Sequence, residues 1–102
     1  MAKKHTYKKA TGTGTQDTVL TATAETVITQ ILFLNQETTT QTVIVWHKKN
    51  GEALATKHKI YIDISIPSDD TATIPFLFLE TSDALVFEAT SANVYCHIDY
   101  VE

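Results

Sequence analysis

The clearest period in the chain runs over KIYIDISIP, residues 59–67, where Ile60, Ile62, Ile64 and Ile66 alternate with Tyr61, Asp63 and Ser65. Successive strand side chains point to opposite faces, so this alternation predicts a β-strand with its isoleucine row in a core. Pro67 ends it, because proline cannot donate to a ladder. Other segments read the same way. DTVLTATA, from Asp17, suits a short strand, and ETVITQILFLNQ follows it. There Ile31 to Leu34 are apolar on both parities, which predicts burial of both faces, the second against a loop or another subunit. The polar stretch Asn35 to Thr40 predicts a turn. QTVIVWHKK is then a strand, with Val43, Val45 and His47 on one face and Ile44, Trp46 and Lys48 on the other.

Asn50-Gly51 is the best short hairpin signal, since both residues tolerate the positive φ of a type I′ turn. Its return strand is expected to begin near Ala53 and run to Ile66. SDDTATIP leads through a loop into a short strand, FLFLE is a brief apolar strand, and TSDA is a turn. ALVFEAT and NVYCHIDYVE are expected to close the chain as a hairpin through Ser91 to Asn93. About eight short strands with turns every 8 to 12 residues predict an all-β chain. The expected architecture is a single antiparallel β-sandwich or jelly-roll-like domain over residues 17–102. Residues 1–16 carry lysines and then TGTGTQ without a hydrophobic period, and are expected to form a basic, flexible N-terminal arm.

Composition sharpens this picture. Threonine occurs 18 times in 102 residues, and its β-branch favours strands. The lone Cys96 excludes an internal disulfide and a multi-cysteine metal site, and suits a reducing cytoplasm. No apolar run reaches the ~20 residues of a membrane helix, and MAKKHTYKKA lacks a signal peptide's apolar stretch. Net charge is −4, but Lys3, Lys4, Lys8 and Lys9 are half of all basic residues. From Ala10 onward, 4 lysines face 12 acidic residues, and there is no arginine. An acidic body without arginine argues against nucleic-acid binding.

Candidate chemistry is sparse. His47, His97 and Asp99 could approach one another as zinc ligands, but ordinary sheet histidines are the better reading. Cys96 and His97 adjoin in sequence yet point to opposite faces, so Cys96 reads as a small buried hydrophobe rather than a nucleophile. Asp69-Asp70 and Glu80 with Asp83 read as turn residues, not a glycosidase pair. No catalytic residue, metal or cofactor is assigned. Two sets of contact residues stand out. Lys3, Lys4, His5, Tyr7, Lys8 and Lys9 could dock the arm on an acidic protein surface, with a solvated tail as the alternative. Ile31, Phe33, Trp46 and Tyr61 are candidate subunit contacts, Trp46 and Tyr61 as cross-strand neighbours of the Asn50-Gly51 hairpin.

From about Asp17 to the end, the order of segments resembles a group of small bacteriophage virion proteins. The resemblance lies in QILFLNQ, the TVIVWHK strand, ISIPSDDTATIP, FLFLETSDALVFEATS and the closing DYVE. The family usually has glycine where this chain has Asp69 and Ser82, which leaves the shape of those two turns open. The resemblance implies a β-sandwich that forms homotrimers and binds the major capsid protein as a cement or decoration protein. The rival is a tail, baseplate or fibre protein, with a glycan-binding module as one form of it. The expected location is the virion, after synthesis in the host cytoplasm. No enzymatic activity, membrane or nucleic acid is expected.

Overall fold

A computed structural model describes residues 2–102. It contains nine strands: β1 Lys3–Lys9, β2 Asp17–Thr21, β3 Thr26–Asn35, β4 Gln41–Lys48, β5 Lys59–Ile66, β6 Thr71–Ile74, β7 Leu77–Leu79, β8 Ala84–Ala89 and β9 Val94–Val101. They form two antiparallel sheets packed as a β-sandwich. In the first, the order is β1-β9-β3, with β6 and β7 end to end along the far edge of β3. The second has the order β2-β8-β4-β5. β1 packs against β2 at one margin and β5 against β6 at the other.

The core lies between the sheets. Ile31 and Phe33 of β3 and Cys96 and Ile98 of β9 face Val43 and Val45 of β4 and Leu85 and Phe87 of β8, all 0% exposed. Phe33 and Phe87 meet across the gap with ring centroids 5.8 Å apart, tilted at 52°. Polar residues seal the ends. Asn35 is wholly buried; its amide donates to the carbonyls of Thr39, Ile66 and Pro67, and its oxygen accepts from Glu37 N–H. One side chain thus ties the β3–β4 turn to the β5–β6 connection.

Several expectations are corrected. The basic N-terminal segment is not a loose arm, because Lys3 to Lys9 pair in register with β9 from Val101 back to Tyr95. Beyond it, Ala10 is buried, Thr11 donates from its N–H and hydroxyl to the Asp17 carboxylate, and Gly14 N–H donates to Ala89 carbonyl. Backbone pairing, with side-chain contacts from His5 and Tyr7 to β9, orders a polar edge strand whose side chains have no core to enter. Ile31 and Phe33 are not subunit contacts, since the chain's own second sheet covers them completely. Trp46, 3% exposed, is also removed from that role. It lies on the outer face of its sheet beneath Leu54 and packs with Val86 and Ala84.

The isoleucine ladder is broken. Val43 pairs with Ile64, Val45 with Tyr61 and Trp46 with Lys59, so β5 carries an extra residue twice. Asp63, at φ +53°, sits in the first of these bulges. Each extra residue reverses the facing of what precedes it. Ile66 is therefore buried and Ile64 half-buried, whereas Ile60 and Ile62 are exposed. The same bulges place Trp46 opposite Lys59 rather than Tyr61. The return strand starts at Lys59, not Ala53, because a 3-10 turn at Thr56–His58 intervenes. Asn50 has no positive φ; Gly51 alone does, at +79°, so the turn is not type I′. Finally, β8 and β9 belong to different sheets, so Ser91 to Asn93 arches across the sandwich instead of closing a hairpin.

The turns at Asp69 and Ser82 keep a left-handed backbone, at φ +52° and +69°. Both residues adopt a conformation that glycine takes without steric cost. Asp69→Gly and Ser82→Gly should each stabilise the fold by about 0.5–1 kcal/mol. The check is a higher urea midpoint at unchanged slope; a lower midpoint would show that neither turn is strained.

Candidate functional site

The outer face of the first sheet gathers the chemically distinctive side chains. In β1, Lys3, His5, Tyr7 and Lys9 alternate with Lys4, Thr6 and Lys8. Register sets them opposite Val101, Asp99, His97 and Tyr95 of β9. Directly opposed residues share a face and lie close enough to interact. On the other flank of β9, Gln30, Leu32 and Leu34 of β3 stand opposite Asp99, His97 and Tyr95.

His5 is the hub. Its Nδ1 lies 2.7 Å from Asp99 Oδ1, and its Nε2 lies 3.2 Å from His97 Nδ1. An ionised carboxylate can only accept, so the proton on the first contact belongs to His5 Nδ1. The second contact then has two forms. Neutral His5 accepts from His97, and protonated His5 donates to it. His97 is in turn stacked under Tyr7, with centroids 5.1 Å apart at 20°, and beside Tyr95 at 6.4 Å. Lys9 Nζ stands 5.9 Å from the centre of the Tyr95 ring. Tyr7 is 59% exposed, so the row presents aromatic surface to solvent.

A groove of about 550 Å³ adjoins this row, lined by Lys3, Lys4, His5, Thr29, Asp99, Tyr100 and Val101. It opens where β3 bulges between Ile28 and Gln30, which puts Thr29 out of register with β9. The Thr29 hydroxyl donates to the Asp99 carbonyl at 3.1 Å, so its proton is not directed at an imidazole. Nucleophile, base and orienter are therefore not joined in line here. The arrangement suits non-covalent contact: exposed rings, an oriented carboxylate and nearby ammonium groups.

The sequence candidates distribute as follows. His47 and His97 lie in different sheets and do not approach each other, so the zinc grouping is not formed. Among the described residues, no three His, Cys, Asp or Glu side chains are placed to hold a metal. Cys96 faces the core, where burial pushes its thiol pKa up, and His97 faces outward. Lys3, His5, Tyr7 and Lys9 share the outer face, whereas Lys4 and Lys8 point to the other side of β1. Tyr61 is 40% exposed at the edge strand β5. Sequence reasoning missed the union of His5 and Tyr7 with Tyr95, His97 and Asp99. The alternation of β1 was the available signal, masked by its lysines.

Glu80 and Asp83 form no hydrolytic pair. Asp83 is buried and accepts from His47 Nε2 at 2.8 Å, Lys49 Nζ at 3.2 Å, Asn50 N–H at 2.9 Å and Glu80 N–H at 3.2 Å. Burial alone would raise its pKa, but these hydrogen bonds outweigh it and hold the carboxyl well below the usual range. Asp83 is thus a clamp between the β7–β8 turn and the end of β4. No family model matches this chain, and no curated protein matches it.

Asp83 makes stability depend on acid. Its folded pKa is depressed, so its contribution is complete above the ordinary value of 3.8 and is lost as pH falls from there towards the folded value. Asp83→Ala should cost about 1–3 kcal/mol at pH 7, because it removes the buried carboxylate that accepts from four partly buried donors. Asp83→Asn should flatten the loss of stability below about pH 4. Urea titrations between pH 2 and 7 provide the measurement, and an unchanged acid limb in Asp83→Asn would count against the clamp.

Proposed function

We propose that this chain is a structural protein of a bacteriophage virion, acting by binding copies of itself and the major capsid lattice rather than by catalysis. The observation that carries this reading is a set of large apolar side chains exposed along one margin of the sandwich: Ile60, Tyr61 and Ile62 of β5, with Phe76 and Phe78 around β7. A lone soluble domain gains nothing by leaving such side chains in water, and burying the part of each that is still exposed contributes about 1 kcal/mol. The side chains expected to make that contact, Ile31, Phe33 and Trp46, serve the chain's own packing. The margin replaces them, and Tyr61 remains. The ordered set of segments shared with phage virion proteins supports the choice of partner. Cement or decoration of the capsid shell is the preferred role within that class, as a homotrimer. Binding that requires the folded, assembled state stabilises the shell by RT ln(1 + [L]/Kd).

A second reading is favoured by one observation, the exposed Tyr7 ring beside the Asp99-lined groove. Aromatic faces flanked by hydrogen-bonding groups suit the apolar face and hydroxyls of a sugar. In that reading the protein is a glycan-binding module of a tail or fibre.

Light scattering on the size-exclusion peak, with co-sedimentation on particles lacking this protein, separates the two. The structural reading expects an oligomer and saturable particle binding. A monomer that ignores particles and binds a glycan array in a Tyr7-dependent way would replace it with the second.

A further inference from the structure

The sandwich has two margins of unlike chemistry. At one, β1 and β2 are the outermost strands of their sheets and pack together. β1 there exposes Lys3, Lys4, Lys8 and Lys9. Among the described residues, Lys4 alone of these pairs with a carboxylate, Glu102 at 3.8 Å. At the opposite margin, β5 ends one sheet and β6 and β7 end the other. That margin exposes Ile60, Tyr61, Ile62, Phe76 and Phe78, together with Asp63, Asp69 and Asp70. Lys59 also belongs to β5, its ammonium 5.8 Å from the Trp46 ring centre, so three carboxylates there stand against one lysine of the strand.

Like margins repel. Joining β1 to β1 would bring two sets of four lysines together, and joining β5 to β5 would oppose two sets of carboxylates. Unlike margins complement each other. The ammonium groups meet Asp63, Asp69 and Asp70, while lysine stems and Tyr7 lie over the exposed isoleucines and phenylalanines. Both margins also present strand edges whose outward N–H and C=O groups have no neighbouring strand.

We propose that copies of this chain associate head to tail, the lysine-bearing β1–β2 margin of one against the β5–β6–β7 margin of the next. This rests on the self-association reading above and adds which surfaces meet and the symmetry that follows. A contact between two different patches generates rings or filaments, whereas a self-complementary patch generates a two-fold dimer. The charged part of the joint is exposed, so association weakens with salt.

The test is complementation by sedimentation velocity. One variant carries Lys3→Glu and Lys8→Glu; the other carries Ile62→Ser and Phe76→Ser. All four side chains are exposed, and circular dichroism confirms that each variant folds. Should the first pair misfold, Lys4→Glu with Lys9→Glu replaces it. The wild type is expected to assemble beyond a dimer, with its dissociation constant rising about tenfold between 0.05 and 0.5 M salt. Each variant alone is expected to be monomeric. Their equimolar mixture is expected to form a one-to-one dimer, because one intact joint survives between them. A mixture that stays monomeric, a variant that assembles like the wild type, or a wild type that remains single at high concentration would overturn the proposal. An assembly that forms but ignores particles would sink the virion reading alone. A monomer that binds particles would sink the head-to-tail joint and the homotrimer, and leave the capsid-binding reading standing.

Discussion

The packing of Phe33 against Phe87 between two sheets is the contact on which the rest of the molecule depends. Apart from Trp46, Ala84 and Val86 outside the second sheet, the buried apolar side chains form one cluster. A chain of this size can hide only a modest apolar area, so the inner face of each sheet must be closed by the other. That constraint explains the connections. β8 and β9 follow one another in sequence yet lie in opposite sheets, which puts Phe87 and Cys96 on facing walls of one core. It also explains the buried polar residues. Asn35 and Asp83 sit where chain segments cross at the ends of the sandwich, and each is itself buried while bonding backbone groups of the segments it joins.

A sandwich that is not a closed barrel has strand edges, and this chain treats its two margins differently. β1 is guarded by charge, a common defence against unwanted edge pairing. β5 is guarded by two bulges and Asp63, which interrupt a flat ladder but leave Ile60 and Ile62 in water. The bulges thus do two things at once: they spoil a continuous edge and turn isoleucines from core to surface. The two margins differ in charge and in greasiness, and this polarity gives the molecule a direction.

The outer face of the first sheet has another character. Its side chains are held by one another, His5 between Asp99 and His97, and Tyr7 over His97. These contacts also lock β1 onto β9, so the surface and the order of the N-terminal strand have the same origin. Rings held in place lose little freedom when something lies against them, which favours recognition.

The amino-acid pattern by itself determined the all-β class, most of the strands, the inward facing of Cys96 and the turn positions. These follow from period two, β-branching and turn chemistry, all of them local. Tertiary structure decided the rest. β1 was illegible because its order comes from a ladder with β9, whose paired residues lie 86 to 98 positions away, and from ring contacts that reach across that ladder. The facing of Ile60 and Ile62 was illegible because a bulge is set by how β5 meets β4, and unbroken alternation carries no mark of it. Asp69 and Ser82 hold left-handed backbone that their side chains do not advertise, since the geometry is imposed by the segments they join. Which greasy residues are covered was likewise settled by the second sheet: a strand apolar on both parities announces that it needs neighbours, but only the folded chain shows that Ile31 and Phe33 found theirs at home.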